Sequence, residues 1–272
     1  MTISTSLHPR LIVRWIMLRR CEPCAQGQRC SSARVLVLDA GCKTTVMNLI
    51  AGGLKALRVG SDVMDLSTDV GPLISAGAVK LAEEHCARLE ASGATLACTS
   101  QHEHTSSPSA EDPRLFHPRV YELPGGVSGL EMLQGEVFAP ILHVIEYNNK
   151  NITNNKSNNT VKGVGLMSSS NKELALIIDA VNAKGFALTG GVLTRCESVK
   201  ALVKSRLNCG NLYINRDTVG AVVESQPFGG HGMSGNGAKA GGEGYLEQFV
   251  CHKVISEDTT AGGGNLELLR SS

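Results

Sequence analysis

The order of apolar runs limits this chain more than any other feature. "ARVLVLD" is a buried-strand run, and after it Val46, Leu49, Ile50, Leu54 and Leu57 recur at helical spacing, with Gly60 placed to stop the helix. A second helix is legible in "AVKLAEEHCARLEASG", closed by Gly93 and followed by the short strand "ATLAC". Further on come the strand "ILHVIEY", the helix "KELALIIDAVNAKG", the strand "FALTGGVLT", the helix "ESVKALVKSRL" and the strand "GNLYIN". Strands alternating with helices predict an α/β fold with a mainly parallel sheet covered on both faces.

With 272 residues, 42% of them apolar, the chain can bury a substantial core as one large domain or two small ones. Its net charge of +1, with basic and acidic residues interspersed, argues against nucleic acid or an anionic membrane as partner, and points to a small molecule. No run of about 18 apolar residues is present, so no membrane span is expected. "LIVRWIM" is broken by Arg14.

Three segments fall outside the regular pattern. Residues 1–20 hold Arg10, Arg14, Arg19 and Arg20 and no acid, the look of a mitochondrial transit peptide or of a misread gene start. Residues 99–113 read as a solvated loop, and its "QHEHTS" is taken as loop rather than metal site. Between 148 and 170, "NNKNITNNKSNNT" and a serine run form a polar low-complexity insert expected at the surface. The last third is dense in glycine, which suits loops and close backbone approach.

Nine scattered cysteines suit a reducing compartment better than a disulfide framework, giving a cytoplasmic expectation with the mitochondrial matrix as alternative. "CEPC" lacks a partner pair, so no metal is expected. Cys30 differs from the rest because it stands in "GQRCSS", between Arg29 and two serines at a turn before a strand. Gly27 and Arg29 there make a setting for an attacking thiolate; the plain alternative is an inert buried cysteine.

Five stretches, "GQRCSSARVL", "LKALRVGSDVMDLSTDVGPLI", "GEVFAPILHVIEY", "GNLYINRDTVGAVVESQPFGGHGMSGNGAKAGG" and "TTAGGGN", together resemble the aldehyde dehydrogenase superfamily. More narrowly, they resemble the L-glutamate γ-semialdehyde (Δ1-pyrroline-5-carboxylate) dehydrogenase module of the bifunctional proline-catabolising, proline utilization A type enzymes. The resemblance implies a three-layer aldehyde dehydrogenase catalytic domain over residues 25–265, after a non-family segment 1–24 and before a tail 266–272. It also implies NAD-dependent oxidation of the semialdehyde to L-glutamate through a thiohemiacetal and a thioester, and a homo-oligomer. By the same resemblance Cys30 is the nucleophile, Glu136 holds the nicotinamide ribose and Phe138 packs near the nicotinamide. Ser31, Gly220 and Ala221 anchor the substrate carboxylate, and Phe228 lines the aldehyde pocket. A carboxylate such as Glu136 suits two ribose hydroxyls, and backbone N–H groups at a tight glycine turn suit an anion.

The departures from the family pattern are Ala139 where glycine is usual, and His231 and Met233 in the "FGG" loop. The family's cofactor-binding domain, oxyanion asparagine and glutamate base precede the nucleophile, and the expectation is that they are largely missing here. A catalytically inactive remnant serving as an oligomerisation or binding module is therefore the competing expectation, with a thiol esterase ranked third.

Overall fold

A computed structural model describes residues 2–4, 27–62, 64–100, 112–148, 169–216, 218, 221–257, 267 and 270. Along the chain run β1 (Thr2–Ser4), β2 (Val35–Asp39), α1 (Ala40–Ala56), α2 (Ala76–Ala91), β3 (Thr95–Thr99) and β4 (Arg119–Glu122). Then follow α3 (Val127–Glu131), β5 (Ile141–Tyr147), α4 (Ser169–Ala183), β6 (Phe186–Ala187), β7 (Thr189–Leu193), α5 (Glu197–Arg206), β8 (Asn211–Ile214) and β9 (His231–Gly232). Seven strands form one sheet in the order β3-β4-β5-β2-β1-β7-β8. Only the edge pair β3–β4 is antiparallel; every other pairing in this sheet is parallel. The expected α/β architecture with a parallel-dominated sheet is what the chain forms.

Strand side chains alternate between faces, so each strand feeds two cores. Leu36, Leu38, Leu142 and Val144 pack with Val46, Ile50 and Leu54 of α1 on one face. Val37, Tyr121, Ile141 and Ile145 pack with Leu89 of α2, Leu174 and Ile178 of α4, and Leu202 of α5 on the other. The near-continuous apolar run of β2, buried on both sides, is what a central parallel strand requires. Helix α2 is capped by Ser75, whose hydroxyl accepts the Ala78 N–H at 3.1 Å. Ser75→Ala should lower stability by about 1 kcal/mol, read as a modest fall in the thermal midpoint.

Several details depart from the expectations. Gly60 does not end α1: the helix stops at Ala56, because Leu57 turns into extended backbone and, with Val59, buries against the sheet. The run "FALTGGVLT" is not one strand. Phe186–Ala187 pairs antiparallel with β9, while Thr189–Leu193 joins the main sheet, and Ala187 N–H is held by the Ser234 hydroxyl at 3.0 Å. Strand β4 and helix α3 had no counterpart in the sequence reading. Strand β1, whose backbone lies between β2 and β7, had none either. Most of the 99–113 loop, the 148–170 insert, Cys21, Cys24 and most of the tail lie outside the described residues.

Candidate active site

The turn before β2 presents Cys30. Ser32 N–H returns to Arg29 C=O at 3.1 Å, and the Ser32 hydroxyl faces Arg29 N–H at 3.3 Å, closing a tight serine turn. Cys30 is exposed at its tip while Ser31 is buried. Gly27 opens the turn at φ +71°, and a Cβ there would lie 2.3 Å from Ala139 O and 2.9 Å from Pro140 Cα. Glycine therefore lets the Cys30 turn stack directly on the backbone of the "GEVFAP" segment. Gln28 ties the turn to the approach to α2 by accepting Ile74 N–H at 2.9 Å.

Arg34 knits the two segments together. Its guanidinium donates to Glu136 at 3.1 Å, to Ala139 C=O at 3.0 Å and to Arg29 C=O at 3.4 Å. It also lies 5.1 Å from the centroid of the Phe138 ring, a cation–π contact. Burial pulls Arg34 below the usual arginine range, and Glu136 and Cys30 pull in the opposite direction. The sequence reading missed Arg34; its only signal was a cation set against the first residue of a buried strand.

Thr218 donates its hydroxyl to Ser31 C=O at 3.2 Å, bringing the chain after β8 against the Cys30 turn. Gly220 lies outside the described residues, and Ala221 is exposed beside it. The following loop closes on itself through Val222 and Gln226, whose backbones exchange hydrogen bonds of 2.9 and 2.8 Å. Arg216 reaches Gln226 at 2.7 Å. Phe228 is half-buried and bridges to Ala240, and Asn211 at the start of β8 holds Pro227 C=O and Gly229 N–H. The structure thus gathers Cys30, Ser31, Thr218, Arg34, Glu136 and Phe138 in one region, and roots Phe228 along β8.

Glu136 and Phe138, which the resemblance assigns to a nicotinamide ribose and its ring, both meet Arg34 here. The Glu136 side chain is 32% exposed with Arg34 on Oε1, and Phe138 is 46% exposed. A half-open carboxylate beside a half-open aromatic ring fits the sugar and the ring of such a group. Among the described residues no cluster of three or more His, Cys, Asp or Glu could hold a metal ion, and no helix is long and apolar enough to cross a membrane.

The aldehyde dehydrogenase family model matches residues 20–174 and 167–255. The chain belongs to the aldehyde dehydrogenase family. It is 34% identical over 227 residues to the bifunctional protein PutA of Salmonella typhimurium, covering 84% of this chain and 15% of that one. It is 26% identical over 231 residues to a 1-pyrroline-5-carboxylate dehydrogenase of a Geobacillus species, covering 85% of this chain and 38% of the relative. A proline utilization A structure from Bradyrhizobium japonicum superposes with TM-score 0.73 at 29% identity over 96% of this chain and 23% of that one. The chain therefore spans about 15% of the length of its PutA relatives.

Proposed function

We propose that this chain is the nucleophile-bearing part of an NAD-dependent L-glutamate γ-semialdehyde dehydrogenase, which oxidises the semialdehyde to L-glutamate in the second step of proline catabolism. The observation that carries the reading is the junction of the Cys30 turn with Glu136 and Phe138, made by Gly27 and Arg34. The Cys30 thiolate adds to the aldehyde carbon, forming a C–S bond as the carbonyl π bond becomes the oxyanion of a thiohemiacetal. When bound, NAD+ supplies the hydride acceptor that turns this adduct into a thioester, whose hydrolysis releases the acid and the thiol. Glu136 would hold the ribose, and Phe138 would flank the nicotinamide. Ser31 with the backbone at Gly220 and Ala221 would take the substrate carboxylate, with Phe228 along the aldehyde pocket. A homo-oligomer and a cytoplasmic setting, or the mitochondrial matrix, go with this reading.

The competing reading is an inactive module that binds partners or completes an oligomer. Two measurements separate them. Iodoacetamide labelling of the folded chain, mapped by mass spectrometry, should modify Cys30 ahead of the other cysteines, with glutamate semialdehyde protecting it. NADH formation from NAD+ and the semialdehyde that disappears in Cys30→Ser would establish turnover, whereas a Cys30 no more reactive than Cys251 counts against the dehydrogenase.

A further inference from the structure

Behind the nucleophile turn lie two buried histidines that the proposed chemistry does not use. His85 on α2 is 1% exposed and His143 on β5 is 6% exposed. Their Nε2 atoms are 2.9 Å apart and their rings meet edge-on at 89°. The outer nitrogens are engaged too: His85 Nδ1 lies 2.8 Å from Arg88 Nη2, and His143 Nδ1 lies 2.7 Å from Arg34 C=O.

The two ends of this string fix every proton within it. A guanidinium can only donate and a carbonyl can only accept. His85 therefore carries a bare Nδ1 and a protonated Nε2, His143 carries a bare Nε2 and a protonated Nδ1, and the donation runs from Arg88 to Arg34 in a single direction. Both rings are neutral, since an added proton on either sets donor against donor. The groups around the pair are consistent with neutrality. Arg88 faces it from α2, Arg34 stands at the chain before β2, and Tyr121 lies in register with His143 on β4 with its hydroxyl committed to Glu90 at 2.7 Å.

Arg34 is also the residue whose guanidinium holds Arg29, Glu136 and Ala139. We propose that His143, kept in one tautomer by His85 and Arg88, is a positioning residue that sets Arg34 and, through it, the Cys30 turn and the Glu136–Phe138 segment. The chemical value of that positioning rests on the dehydrogenase reading; the positioning itself does not. His143 backbone N–H donates to the same Arg34 carbonyl at 3.0 Å, so substitutions of the ring leave one bond of the pair in place.

The test uses the full chain. Ring 15N spectra at pH 7 should show His143 as the Nδ1–H tautomer and His85 as the Nε2–H tautomer, and the reverse tautomer or a charged ring on either overturns the proposal even if no variant folds. His143→Leu deletes the donor, while His143→Asn places an amide donor near the same point. In variants that retain a cooperative melt, the ratio of Cys30 to Cys251 alkylation by iodoacetamide should change about tenfold in His143→Leu and return to within about twofold of the original in His143→Asn. An unchanged ratio in a folded His143→Leu, or no recovery in His143→Asn, overturns it. If Cys30 of the unaltered chain is no faster than Cys251, the dehydrogenase reading fails, and the backbone amide shifts of residues 28–32 decide the positioning separately: moved by Leu and restored by Asn in support, unmoved against.

Discussion

Gly27→Ala should cost about 2–5 kcal/mol and dismantle the candidate site. Two penalties combine. A non-glycine residue at positive φ gives up about 1–2 kcal/mol, and forcing a methyl into packed surroundings adds about 1–3 kcal/mol. The atom such a methyl would strike is Ala139 O, 2.3 Å away, which is backbone and cannot swing aside as a side-chain tip could. That same carbonyl accepts Arg34 at 3.0 Å and Ile141 N–H at 2.8 Å, so relief by moving it disturbs the entry of β5 and the Arg34 junction together. Urea unfolding would report the loss of stability, and mapped alkylation the loss of Cys30 selectivity. A variant as stable as the parent, with its labelling pattern intact, would contradict the close stacking of the two segments.

Acid should destabilise the chain through the buried histidines, by about 3 kcal/mol over the window from pH 6.5 down to 4. Burial, opposed by the hydrogen bond to the Arg34 carbonyl and reinforced by the repulsion that a charged His85 would add and by the Arg34 guanidinium, lowers His143 from 6.5 to about 4. His85 is lowered as well, by burial and then by Arg88. Because the folded state resists the proton that the unfolded chain accepts, stability is complete above pH 6.5, declines as the pH falls, and stops declining once His143 itself titrates near 4. Asp112 and Asp179, held below the usual carboxylate range by Arg114 and Arg206, and Glu197, held there by Lys200, add their own loss only at the acid end of this window and beneath it. Urea midpoints between pH 7 and 4 would measure the slope. His143→Asn, which has no titrating ring at that position, should flatten most of it; an equal slope in both proteins would sink the assignment.

Much of the layered fold was legible in order along the chain, since it depends on local periodicity. The run before Ala40 read as a buried strand and α2 was legible in "AVKLAEEHCARLEASG", where the structure buries Ala82, Cys86 and Leu89. Strand β4 was hidden because only four residues, Arg119–Glu122, stand between loops, and β1 because a three-residue strand acquires its identity from the two neighbours it joins. The candidate site divides in the same way. Cys30, Glu136 and Phe138 were nameable only through the family resemblance that several ordered motifs carry together, whereas Arg34 and the histidine pair were not nameable at all.

What the sequence determined by itself was the alternation of strand and helix, the covered parallel sheet, and the motifs around Cys30, Glu136 and the loop after β8. Only the tertiary structure decided that Gly27 lies on Ala139, that Arg34 joins the two motifs, and that His143 reaches Arg34 across 109 residues of sequence. The reason is physical. Periodicity and turn chemistry act between residues a few positions apart and leave a repeating mark, while a single hydrogen bond between distant segments has no period and exists only once the sheet has set its strands side by side.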